Sequence, residues 1–166
     1  MKHTRLRLTE RDLVERLLPL VDGRVFHVSD RSHLPAILAS GAITPNLDST
    51  LSTTFGHSKN SYFRKRGCVS LFDLRGARPT DDVLWKCSPF HLSRASHGLA
   101  ILILATVACQ NLMSWEAWRS EQAWTEMIVP YVESGYKGPI PLSFIDELIE
   151  VDVERNRDPI VEALTR

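Results

Sequence analysis

Three groups of side chains in this sequence combine residue types and spacing that can do chemistry. Glu126 stands among Trp124, Met127 and Val129. A carboxylate partly withdrawn from water there can stabilise positive charge developing in a transition state and can assist removal of a proton. His27 and Ser29 lie two residues apart in the run Val25-Phe26-His27-Val28-Ser29, so a strand would place imidazole and hydroxyl on one face. Tyr62-Phe63-Arg64-Lys65-Arg66 sets aromatic rings beside three cations, which suits stacking through Tyr62 and pairing with phosphates through Arg64 or Arg66. Each group also has a plainer reading: a solvent-facing strand glutamate, a satisfied half-buried histidine, a solvated basic turn.

A fourth segment, Ser114 to Trp124, carries Trp115, Trp118 and Trp124. These indoles suit stacking on an unpaired base. They also suit a core, because Trp115 and Trp118 are spaced i, i+3 on a helix.

Several chemistries are excluded. There is no GxGxxG following a strand, no GxxxxGK[ST] loop and no GxSxG elbow, which removes the Rossmann and P-loop ways of holding phosphates and the serine-hydrolase constellation. His57, His91 and His97 are scattered, as are Cys68, Cys87 and Cys109, and none shows metal-ligand spacing, so no metal is expected. With 20 Lys plus Arg against 20 Asp plus Glu, the formal net charge is zero. No global positive field therefore exists, and a nucleic-acid partner must be met by a local patch.

The elements that position these groups follow from periodicity. At 166 residues the chain has the length of one domain, 1–166, with enough core to fold without staples. Thr9 and Asp12 mark a helix start, with Leu13, Val14, Leu17 and Leu18 on one face and an end near Pro19 to Gly23. Arg24 to Ser29 reads as a strand. Asp30 or Ser32 caps a second helix whose stripe is Leu34, Ile37 and Leu38 and whose C-terminal cap is Gly41. A short strand is expected over Ala42 to Thr44, then a long surface segment from Asn46 to Gly67 with one helical turn around Ser58 to Arg66. Further strands are predicted over Cys68 to Leu74, Ala100 to Cys109, Thr125 to Val132 and Ile145 to Val153. Ala100 to Cys109 is apolar enough to be covered on both faces. The class is α+β, with helices in the first third and strands dominating the rest.

Met1 to Glu10 lacks the apolar stretch of a signal peptide. No apolar run approaches the roughly 20 residues that span a bilayer, and sparse, odd-numbered cysteines suit a reducing compartment. A cytoplasmic location and no membrane partner are expected.

Val25-Phe26-His27-Val28-Ser29, followed by Leu34-Pro35-Ala36-Ile37-Leu38-Ala39-Ser40-Gly41-Ala42-Ile43, resembles the opening of many ADP-ribosyltransferases: a strand ending His-x-Ser/Thr, then Leu-Pro-x-Ile-Leu-x-x-Gly. Thr125-Glu126-Met127-Ile128-Val129-Pro130, then Ile140-Pro141-Leu142-Ser143-Phe144-Ile145, looks like that family's final portion, where a glutamate opens a strand and an Ile-Pro-Leu link leads to the last one. The nearest branch is the DarT-like one, whose members are toxins that modify nucleobases in DNA; the match brackets residues 25 to 153 and is poor in the middle.

The resemblance implies an ADP-ribosyltransferase-like split β-sheet sandwich with N-terminal helices. It implies NAD as ADP-ribose donor without a metal, and transfer to a target such as a nucleobase of DNA or RNA, as a bacterial toxin or phage-defence effector with an antitoxin partner. Glu126 would be the catalytic carboxylate. His27 would bond a ribose hydroxyl, with Ser29 nearby and the Val28 backbone on the nicotinamide carboxamide, while Tyr62, Arg64 and Arg66 would stack on nicotinamide and pair with the diphosphate. The tryptophan segment lies where these enzymes carry their acceptor-recognition loop. Two other readings share this scaffold: an NAD-using RNA 2′-phosphotransferase relying on Arg64, Arg66, Arg75 and Arg78, and a non-catalytic binding domain recognising a partner through the tryptophans.

Overall fold

A computed structural model describes residues 1–48, 58–76, 83, 87–90 and 98–154. Its centre is a seven-stranded mixed sheet in the order β1-β9-β5-β2-β4-β7-β6, beside a two-stranded ladder of β3 and β8. The strands are β1 (Lys2–Thr9), β2 (Val25–Asp30), β3 (Ala42–Ile43), β4 (Cys68–Asp73), β5 (Gly98–Leu104), β6 (Met113–Ser114), β7 (Glu133–Lys137), β8 (Ile140–Pro141) and β9 (Ile145–Glu154). Among the described residues, helices α1 (Leu13–Val21), α2 (Leu34–Ser40), α3 (Tyr62–Lys65) and α4 (Glu116–Ser120) pack with these strands.

The apolar run in the second half of the chain becomes β5, buried along its whole length. Its alternation serves two cores. Leu99, Ile101 and Ile103 join Phe26, Val28, Ile149 and Val151 beneath Leu13, Leu17 and Val21 of α1. Ala100, Leu102 and Leu104 join Val25, Leu71 and Leu148 beneath Leu34 of α2 and Ile43 and Ile140 of the small ladder. Each fully buried Leu or Ile contributes about 1.5–3 kcal/mol of transfer free energy, so β5 is the common wall of both cores. The run does not continue to Cys109 as a strand: Thr106–Cys109 turns as a 3₁₀ helix.

Three other expectations are corrected. Lys2–Thr9, given no element by the sequence pattern, forms β1 and runs parallel to β9 from Lys2↔Glu147 to Thr9↔Glu154. Leu6 and Leu8 add to the first core, and the buried carboxylate of Glu147 is satisfied by Lys2 at 2.8 Å and by Thr4 and Arg24 at 3.1 Å each. In α1 the buried stripe is Leu13, Leu17 and Val21, while Val14 is 46% exposed. The segment before Cys68, expected at the surface, sends Tyr62, Phe63 and Arg64 inside.

The largest correction concerns Thr125 to Val132, which is not a strand. Pro130 interrupts it, Tyr131 adopts φ +69°, and strand geometry begins only at Glu133. A proline lacks the N–H that an interior strand must donate, so the ladder starts one turn later. The region after Gly76 that was read as a polar turn lies outside the described residues beyond that glycine.

Ile101→Ala should lower the free energy of unfolding by about 2–5 kcal/mol, whereas exposed Leu38→Ala should cost less than about 0.5 kcal/mol. Urea denaturation of both variants checks this, and equal effects would contradict the assignment of β5 as the shared wall.

Candidate functional site

The site begins where two strands part. β2 pairs with β5 over five residues, Phe26↔Ile103 through Asp30↔Leu99. With β4 it pairs over only two, Val25↔Asp73 and Phe26↔Phe72. Beyond Phe26 a side chain takes over: His27 donates from Nδ1 to the carbonyl oxygen of Ser70 at 3.0 Å. Because a carbonyl can only accept, the proton is assigned to Nδ1 and Nε2 is left as an acceptor. Burial lowers the imidazole's pKa, the bond to Ser70 opposes this, and neighbouring His33 lowers it further. The ring is therefore neutral at physiological pH.

Ser29, two residues on, is buried and shares a hydrogen bond with His33 Nδ1 at 3.1 Å. Val28 is buried in the first core, so it can meet a ligand only through its backbone.

On the far side of β4 stands Glu133, the first residue of β7, paired with Phe72. Its carboxylate accepts from the Val129 amide at 2.8 Å and lies within hydrogen-bonding reach of the Ser70 hydroxyl. Burial pushes its pKa up to about 7, against the lowering effect of Val129 and Ser70. Ser70 thus lies between the two groups: His27 bonds its carbonyl and shares a face with Leu102 of the second core, while Glu133, opposite Phe72, lies on the face of the first core. Sequence reasoning missed Ser70, His33 and Glu133. The signal available for Glu133 was Pro130, which should have moved the strand start downstream.

The remaining expected residues form a second cluster around α3. The Tyr62 ring is fully buried, perpendicular to Phe63 at a centroid distance of 5.1 Å and covered by the Arg66 guanidinium 3.5 Å from its centroid. Arg66 donates from Nη1 to Glu126 at 2.6 Å and to the Tyr62 carbonyl at 3.0 Å, and from Nε to Glu121 at 2.9 Å; its Nη2 also bonds Glu121. Lys65 stands 3.3 Å from the other Glu126 oxygen. Desolvation would raise the Glu126 pKa, but the bonds from Arg66 and Lys65 hold it below the usual carboxylate value. Arg64 is buried, with Nη2 3.5 Å from the Leu47 carbonyl.

The structure therefore brings His27 and Ser29 together and brings Tyr62, Arg66 and Glu126 together, but among the described residues no hydrogen bond or ion pair joins His27 to Glu126. Arg66 precedes β4, while Arg75 follows it and is paired with Asp73 at 2.9 and 2.7 Å. The six-residue strand between them separates their backbone positions by roughly 20 Å or more. Arg78 lies outside the described residues.

The tryptophan segment divides. Trp118 and Ala117 pack on Tyr62 and Phe63, and the Trp118 indole donates to the Glu126 carbonyl at 3.0 Å. Trp124 is 58% exposed; Tyr131, 61% exposed, meets Trp115 at a centroid distance of 4.6 Å with the rings tilted by 53°. Among the described residues no group of three or more His, Cys, Asp or Glu is arranged to hold a metal ion; His57, His91 and His97 lie outside them. Among the same residues no helix is long and apolar enough to cross a membrane. No protein-family model matches the chain, and neither curated proteins nor solved structures yield a similar one.

The Glu133 environment has a thermodynamic consequence. A carboxyl whose pKa is about 7 folded and 4.5 in its ordinary state stabilises the fold below the lower value, and that contribution is lost as pH rises through the higher one. Wild-type stability minus that of Glu133→Gln should therefore fall on the order of 2–3 kcal/mol between about pH 4.5 and 8. A flat difference across a pH series of urea melts would show that the carboxyl ionises normally.

Proposed function

We propose that this chain is an NAD-dependent ADP-ribosyltransferase that transfers ADP-ribose to a target, with a nucleobase as the favoured acceptor. One observation carries the reading: the His27 imidazole reaches the Ser70 carbonyl where β2 and β4 separate, and Glu133 stands on the next strand, two residues from the partner of Ser70. That parting of strands also supports the split-sheet sandwich expected from the resemblance to ADP-ribosyltransferases.

The neutral imidazole offers Nε2 to a ribose hydroxyl of NAD. Ser29 and the Val28 backbone adjoin it on β2, suited to the nicotinamide carboxamide. As the bond between the ribose C1′ and the nicotinamide nitrogen breaks, nicotinamide leaves with the electron pair and positive charge gathers on the sugar. An ionised carboxylate beside that sugar stabilises this charge more than it stabilises the ground state. A nitrogen lone pair of the acceptor then forms the new bond to C1′, and the carboxylate takes the displaced proton.

We assign the carboxylate to Glu133 rather than Glu126. Glu133 opens the strand that precedes the Ile140-Pro141-Leu142 link and, half-buried, has no cation paired with it among the described residues, whereas Glu126 is neutralised by Arg66 and Lys65. The exposed Tyr131 ring, two residues before Glu133 and packed at a tilt against Trp115, offers a free aromatic face to a planar acceptor. Such an activity fits a toxin or phage-defence effector restrained by an antitoxin.

Labelled NAD incubated with separate pools of DNA, RNA and protein should mark nucleic acid. Glu133→Gln should reduce labelling by about 10²-fold or more, while Glu126→Gln should keep activity within about tenfold. Loss with Glu126→Gln and retention with Glu133→Gln would return the role to Glu126; no label in any pool would leave the non-catalytic binding domain as the better reading. Because the carboxyl must be ionised to act, the rate should rise with pH through about 7, read as nicotinamide release across a pH series.

A further inference from the structure

We propose that residues 115–126 form a lid over Tyr62, latched by Glu121 and Glu126 on the Arg66 guanidinium and released when a diphosphate takes the guanidinium instead. Tyr62 and Phe63 have no exposed surface, yet no residue from Trp115 to Thr125 is buried. A fully buried aromatic pair is thus covered by a layer that is itself wet on its outer side.

That layer is internally bonded: Ala123 N–H to the Trp118 carbonyl at 3.1 Å, Glu126 N–H to Ala123 at 2.9 Å and the Trp118 indole to Glu126 at 3.0 Å. It can therefore move as a unit. What ties it to α3 is chiefly ionic, with all three Arg66 nitrogens donating within the molecule and Lys65 on Glu126. A side-chain bond from Asn60 to the Thr125 carbonyl and the packing of Ala117, Trp118 and Ala123 add to it. The paired backbone bonds of Met127 with Asn60 and Tyr62, each 2.9 Å, anchor the far end, so opening is confined to 115–126.

The Tyr62 hydroxyl is buried and faces Glu121, the same carboxylate that Arg66 holds. Opening gives it water or ligand as a partner, and it frees the guanidinium fork that pairs bidentately with phosphate oxygens. An anion of that geometry competes with the two carboxylates for one cation, so each favours a different position of the lid. That the natural anion is the diphosphate of NAD rests on the reading proposed above; the latch does not.

Hydrogen–deuterium exchange of the full chain tests this without any turnover. Glu121→Gln with Glu126→Gln should speed amide exchange within 116–126 by about fivefold or more and leave β5 and β9 unchanged. Saturating inorganic pyrophosphate should do the same to the wild type, and so should raising sodium chloride to about 1 M, which screens the latch. Wild-type exchange rates in the double variant, or acceleration that spreads into β5, would overturn the latch. Unchanged exchange with pyrophosphate, while the variant and salt open the lid, would overturn anion release.

Discussion

A backbone carbonyl inside a sheet needs a hydrogen-bond partner, and the carbonyl of half-buried Ser70 meets an imidazole where β2 would otherwise present a strand amide. This substitution lets β2 leave β4 after two residue pairs while staying on β5 for five. Without it the sheet would either close or leave an unsatisfied acceptor, at a cost of about 1–3 kcal/mol. The same bond fixes the tautomer of His27, so the structural device and the chemical one are a single contact. β5, buried on both faces, supplies the rigidity that holds β2 while its other edge opens.

Two glutamates seven positions apart in sequence show how surroundings divide one chemical group into two roles. Glu126 meets a guanidinium and an ammonium and stays charged, which suits an ion pair joining two segments. Glu133 meets an amide, a hydroxyl and an apolar sheet, and holds its proton to about pH 7. A carboxyl poised near neutrality can change protonation state during a reaction, whereas one fixed by two cations serves best as an anchor. The second cluster, with Arg66 laid on Tyr62, is accordingly read as architecture around the candidate site and as control of access to α3.

Much of the fold was legible in the residues themselves. Gly41 takes the left-handed conformation expected of a helix cap, φ +72°, Asp30 caps the turn that leads into α2, and the two-sided burial of β5 follows from its unbroken apolar run. β1 was hidden because its leucines alternate with charges that form cross-strand ion pairs on β9, a pattern that looks like a solvated lead-in until its parallel partner, more than a hundred residues away, is known. The placement of His27 and Ser29 on β2 was readable from alternation alone. Glu133 was not, because Ile128, Val129 and Val132 imitate a strand and drew its start upstream of Pro130. Ser70 carried no local signal: its importance comes from neighbours on two other strands, and no periodicity within β4 encodes that.

Nitrogen-15 NMR of histidine-labelled protein, titrated with NAD, addresses the central claim most directly. The account predicts a neutral His27 with its proton on Nδ1 and a resonance of Nε2 that moves as NAD is added. A His27 signal unmoved by saturating NAD, or a proton found on Nε2, would contradict it.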